Sequence, residues 1–199
     1  MHLRYGVAVL VTSSLLLSAC IGTATRNDSV MPSPTPVPRP LSADAATVAY
    51  WHTEVEITAE HARYAIAKRE EFDWVRRYLR HVRHALDPAS EPDGPGLNYG
   101  VIATSRQLET SMATRGSNSA LAADTRANIV TVRTSAANVA AWANDIMVHS
   151  DNILAESSTN ALVDMWLETV SRLARAMVSG TEDAPGMQQG KAAFARLQQ

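Results

Sequence analysis

IVTVRTSAANVAAWANDIMVHSDNI, residues 129–153, decides the fold. Ile129, Val132, Ala136, Val139, Ala143, Ile146, Ser150 and Ile153 recur every three or four positions over seven turns. Each helical residue advances about 100°, so that spacing lines one face of a long helix. Ala136 and Ala143 are small enough to let a neighbouring helix approach closely. HSDN at 149–152 offers a break, where Ser150 or Asp151 can cap a fresh turn. No stretch of the chain alternates apolar and polar residues long enough to make a strand, and the expected class is all-α.

The flanking segments extend the same pattern. On the C-terminal side, Leu162, Trp166, Val170, Leu173 and Met177 predict a fifth helix, stopped by Gly180 at its C′ position. TEDAPGMQQG (181–190) reads as loose, and KAAFARLQQ (191–199) as a short terminal helix. On the N-terminal side, Ser117 or Ser119 can open the long helix. A third helix from Tyr99 or Gly100 to Ala113 carries Val101, Ile102, Leu108 and Met112. DPASEPDGPGLNYG (87–100) holds three prolines and three glycines and is a loop.

Two further helices precede that loop. Ser42 caps the first, in which Val48, Trp51, Val55, Ala59, Ala62 and Ile66 form one stripe as far as Ala67. Asp73 is the expected cap of the second, whose inner stripe is Val75, Leu79, Val82 and Leu86. Asp87-Pro88 ends it, since proline disfavours helix in the residue before it. The expected architecture is an antiparallel bundle of four or five helices spanning residues 42–199. No second copy of the hairpin follows, which excludes a helical repeat array.

Within the second helix, RRYLRHVRH (76–84) concentrates four arginines and two histidines. Arg76, Arg77, Arg80, Arg83 and His84 fall outside the apolar stripe, and His81 at its border. The plain account is a solvated face whose arginines pair with Glu54, Glu56, Glu60, Glu70 or Glu71 across the hairpin, at up to about 1 kcal/mol each. The functional account makes Arg76, Arg77, Arg80 and Arg83 a surface for an acidic partner or anionic lipid headgroups. A third account places a metal on His81 and His84, joined across the hairpin by His52 or His61 and by Glu54 or Glu60. Against it, no Glu stands three positions before any histidine, as di-metal bundles require, and four arginines repel a dication. No cofactor is therefore expected. Trp51, Trp74, Trp142 and Trp166 lie on or beside apolar stripes, where packing is their expected role.

Hydrolase motifs are missing. There is no G-x-S-x-G and no H-E-x-x-H, and no residue takes a catalytic role. Cys20 is the single cysteine, which removes disulfides, Cys-based zinc sites and a thiol nucleophile from residues 21–199. Without Arg4, the chain from residue 20 onward holds 17 basic and 20 acidic residues, a balance that gives no footprint for nucleic acid.

MHLRYGVAVLVTSSLLLSAC opens with Arg4 and no acid, then runs apolar from Val7 to Leu17, short of the roughly 20 residues a membrane span needs. That pattern is an export signal. Its end, Leu17-Ser18-Ala19-Cys20, resembles the lipobox of bacterial lipoproteins. The resemblance covers residues 1–20 and implies removal of 1–19, a diacylglycerol thioether on Cys20 and an acylated new N-terminus. Ile21 stands where that family uses Asp for inner-membrane retention, which implies the outer membrane, facing the periplasm, in a Gram-negative cell. Between Cys20 and residue 41, prolines at 32, 34, 36, 38 and 40 predict an extended spacer, with MPSPTPVPRP spanning roughly 30 Å at about 3.1 Å per residue. The expected protein is a lipid-anchored envelope protein of non-enzymatic, interaction or scaffold role, with a metal- or ligand-binding bundle as the alternative.

Overall fold

A computed structural model of the chain describes residues 42–199. The expected signal peptide, the lipidated Cys20 and the proline-rich tether lie outside the described residues. Six helices account for the described fold: α1 (Ala43–Ala67), α2 (Phe72–Leu86), α3 (Val101–Gly116), α4 (Ala123–Ala155), α5 (Ala161–Ser179) and α6 (Met187–Arg196). No strand occurs among the described residues. The all-helical class stands; six helices replace the expected four or five.

α4 is the spine. Its 33 residues span about 50 Å at 1.5 Å each. The expected break at HSDN does not occur, because Ser150 is buried on the inner face and Asp151 is engaged by Arg83 of α2. α4 packs on α3 and α5, and both of those pack on α1, closing a ring of four helices. Partner positions run in opposite directions along neighbours. Asp44 meets Arg115 while Trp51 meets Ser105; Arg69 meets Glu168 while Ser171 and Arg175 line a cleft with Glu60 and Arg63. The shorter α2 and α6 each pack on both α1 and α4. α2 sits beside His61 of α1 and α6 beside Trp51.

Local chemistry explains the boundaries. Ser42 Oγ accepts from the Ala45 N–H at 3.2 Å, and Asn160 Oδ1 accepts from the Leu162 and Val163 N–H groups, both at 2.9 Å. Asp73 does not cap α2; the helix begins at Phe72, with Glu71 as its boundary and Asp73 in the first turn. α4 begins at Ala123 rather than near Ser117 or Ser119. α3 runs beyond Ala113 to Gly116. Met187 to Gly190, read as loose from the sequence, form the first turn of α6: the Gly186 N–H donates to Gln189 Oε1 at 3.0 Å, fixing an orphan donor of that turn.

The core is continuous, from Trp51 and Val55 through Leu79, Leu108 and Met112 to Ile146, Leu167 and Met177. Ala136 and Ala143 are fully buried, as their size predicts. Gly190 brings α6 against α4 and α1, since a Cβ there would lie 2.8 Å from Ser135 Cβ and 3.1 Å from Trp51 Cη2. Leu162, placed on the inner stripe by the sequence, is 53 % exposed. The neighbouring Val163 and Leu167 turn inward instead. No described helix is long and apolar enough to cross a membrane.

Candidate functional site

The loop 87–100 does not hang free. It folds across the outer side of the α1–α2 hairpin and is held there by two buried polar side chains. Glu54 of α1 is fully buried, and its Oε1 accepts from the Leu97 N–H at 2.9 Å and the Tyr99 N–H at 3.1 Å. His84 of α2 is 1 % exposed, with Nδ1 at 2.8 Å from the Glu91 carbonyl oxygen. A carbonyl only accepts, so Nδ1 carries the hydrogen of that contact. Gly94 lies directly over the ring: a Cβ there would be 2.5 Å from His84 Cβ. Gly96, with φ of +151°, passes Glu54 so closely that a Cβ would stand 2.7 Å from Oε2. The two glycines are what let the backbone come down onto these side chains. Tyr99 stacks flat on Tyr50, with centroids 3.8 Å apart, and closes the far end of the loop.

The folded-back loop decides the setting of His84. The helical period puts His84 opposite the Val75–Leu86 stripe, on the outer face of α2, and it is buried because the loop covers that face. Glu54 likewise leaves the set of surface acids available to the arginines.

Between α2 and the clasped loop runs an open groove of about 480 Å³, lined by Asp73, Arg76, Arg77, Arg80, His81, Glu91 and Asp93. Arg76, Arg77 and Arg80 form one wall. None of them comes within 4.0 Å of a carboxylate oxygen among the described residues. Arg77 stacks over Trp74, and Arg76 lies over Phe72. Of the acids expected to neutralise the arginines, three are engaged elsewhere: Glu56 with His52, Glu60 with the Tyr64 hydroxyl, Glu71 with Lys68. Glu91 and Asp93 of the loop supply the facing wall, and Asp73 joins the lining from the first turn of α2. Three guanidinium groups and three carboxylates thus share one groove without ion pairing.

Arg83 stands apart from the other three. It pairs with Asp151 of α4, and its side chain is only 13 % exposed, so it ties α2 to the spine.

The histidines also separate into different settings. His81 Nδ1 lies 3.4 Å from His61 Nδ1 across the hairpin, the two rings edge to face. His84 turns to the loop and His52 to Glu56. The structure therefore joins His81 to His61 and not to His84. Burial holds the His81 imidazole below its ordinary pKa, helped by Arg77 and His84 and opposed by Glu91. Burial and then His81 do the same to His61, opposed by Glu60. Among the described residues no three His, Cys, Asp or Glu side chains gather in metal-holding geometry.

No family model, curated protein or solved structure matches the chain. The site must be read from its own residues.

Sequence reasoning singled out Arg76, Arg77, Arg80 and His81, and missed Glu91 and Asp93. The only available signal was acid density inside a loop rich in Pro and Gly, which does not say where a loop folds back. Trp51 fulfils its packing role, fully buried with Nε1–H donating to Ser105 Oγ at 2.8 Å. Trp74 does not: it is 39 % exposed beside the groove.

Proposed function

We propose that this chain is a lipid-anchored envelope protein of non-enzymatic role, and that it meets its partner through the α2 groove. The observation that carries the reading is that Arg76, Arg77 and Arg80 line a groove with no carboxylate ion-paired to them among the described residues. Guanidinium groups recognise phosphate and carboxylate through paired N–H donors. With Cys20 lipidated and residues 21–41 as a tether of tens of ångströms, the nearest abundant ligands of that chemistry are phospholipid headgroups.

Two measurements test this. Mass spectrometry of the chain recovered from membranes should give a polypeptide lacking residues 1–19 and carrying acyl chains, and Cys20→Ser should release it from that fraction. Replacing Arg76, Arg77 and Arg80 together by Glu should weaken headgroup binding at least tenfold, and added salt should weaken the parent protein's binding. Unchanged binding by the charge-reversed protein would overturn the reading.

The metal-binding alternative draws support from one distance. Two nitrogens each about 2.0–2.1 Å from a tetrahedral zinc ion stand roughly 3.3–3.4 Å apart, and His61 Nδ1 and His81 Nδ1 are 3.4 Å apart. A stoichiometric metal in the purified protein, lost in His61→Ala and in His81→Ala, would establish it.

A further inference from the structure

The acids in the groove set a condition that arginines alone do not. A ligand that is purely anionic gains from Arg76, Arg77 and Arg80 but must enter beside Asp73, Glu91 and Asp93. A purely cationic ligand meets the reverse. Formal charge in the lining is balanced at three of each sign, so net attraction for either kind of ion is small beyond a Debye length of about 8 Å.

The two walls also have fixed positions. The arginine wall belongs to a helix whose opposite face, Val75, Leu79 and Val82, is fully buried. The loop wall is held at Glu91 by His84 and at Leu97 and Tyr99 by Glu54. Leaving a buried polar atom unpaired is costly, and among the described residues Glu54 Oε2 and His84 Nε2 have no hydrogen-bond partner. The same contacts hold the loop over α2, which puts Glu91 and Asp93 in the lining of the groove with Arg76, Arg77 and Arg80.

We infer that the groove recognises a zwitterion carrying a phosphate monoester or diester next to a primary ammonium, the chemistry of phosphoethanolamine. The phosphate lies against Arg76, Arg77 and Arg80, and the ammonium donates its hydrogens to Glu91 and Asp93. The volume of about 480 Å³ falls within the range of small-ligand sites. A primary ammonium is favoured over a quaternary one because it has N–H groups to donate to carboxylates. The inference rests on the arginine groove being the contact surface and adds the class of ligand. The same group is found on a free metabolite and on a lipid headgroup, and the test separates the two.

The full chain in a neutral alkyl-glycoside detergent is titrated with O-phosphoethanolamine, with phosphocholine and with inorganic phosphate, by calorimetry and by tryptophan fluorescence, to which the exposed Trp74 contributes. Phosphoethanolamine should bind at least tenfold more tightly than phosphate or phosphocholine. Arg80→Glu should abolish binding of all three. Glu91→Gln with Asp93→Asn should remove the preference: phosphoethanolamine loses the acceptors of its ammonium, while phosphate, freed of two repelling carboxylates, binds at least as tightly as to the parent protein. Both acids are surface groups, so these changes spare the core, and circular dichroism confirms folding. In nanodiscs, phosphatidylethanolamine should compete with the soluble ligand if the headgroup is the source, whereas equal affinity in discs with and without it assigns the free molecule. Equal binding of phosphate and phosphoethanolamine, both lost in Arg80→Glu, overturns the zwitterion and leaves the arginine groove standing. No binding of any of the three, with the arginine variants unchanged on membranes, overturns both.

Discussion

His84 Nδ1 and the carbonyl oxygen of Glu91 are 2.8 Å apart, and that contact turns a Pro- and Gly-rich loop into a wall. The ring lies between α2 and the loop with Gly94 on top of it. His84→Ala removes both the hydrogen bond and the surface on which Gly94 rests. The expected outcome is a folded protein, destabilised by about 1–3 kcal/mol, whose 87–100 segment is cut several-fold faster in limited proteolysis read by mass spectrometry. Gly94→Ala should give the same cleavage phenotype with the imidazole retained, because its Cβ would need the space of His84 Cβ.

Glu54 holds the other end of that loop. Two main-chain N–H groups share its Oε1, and hydrogen bonds to a carboxylate contribute about 1.5–3 kcal/mol each. Glu54→Ala should lower the unfolding free energy by about 2–4 kcal/mol, with both donors left without that acceptor. Glu54→Gln keeps an accepting oxygen and should lose less than half as much. Urea denaturation of the two variants checks the order.

Acid should weaken the α1–α2 hairpin. The folded protein holds the His61 and His81 imidazoles below their ordinary pKa, chiefly by burial. The unfolded chain therefore binds protons at a pH where the folded chain does not. Stability contributed by the pair is fully present above the ordinary value of about 6.5 and falls as pH drops from there through the depressed values. The urea midpoint should decline between pH 7.5 and pH 5, and His61→Phe with His81→Phe should flatten that part of the decline.

Close packing of α6 depends on Gly190. Alanine gains helix propensity of about 1 kcal/mol over glycine, yet its Cβ would lie 2.8 Å from Ser135 Cβ. Overpacking of that kind costs about 1–3 kcal/mol. Gly190→Ala should lower the melting temperature, and a rise instead would mean that α6 shifts freely over α4.

Helix identity was legible because a periodic apolar stripe is a local property: Val75, Leu79, Val82 and Leu86 are all fully buried. Helix ends were less so. Ser42 announced itself as a cap, while α2 and α4 start after Glu71 and Ala122 with no side-chain cap bond, so the cap-type residues Asp73, Ser117 and Ser119 pointed to the wrong starts. The loop was the main loss. Its composition says that 87–100 is irregular, but its burial of Glu54 and His84 is a long-range fact, made by backbone contacts that no residue pattern records. Arg83 was hidden for the same reason, since only the approach of α4 brings Asp151 to it. Arg76, Arg77 and Arg80 were found because they lie off the apolar stripe of α2, which the helical period records.

Hydrogen–deuterium exchange of the full chain, with and without a saturating soluble phosphate-bearing headgroup, tests the groove most directly. The account predicts added protection at residues 73–81 and 91–99 together, because both walls close on one ligand. Protection confined to another surface, such as the apolar cleft between α1 and α6 around Val48 and Phe194, would contradict it.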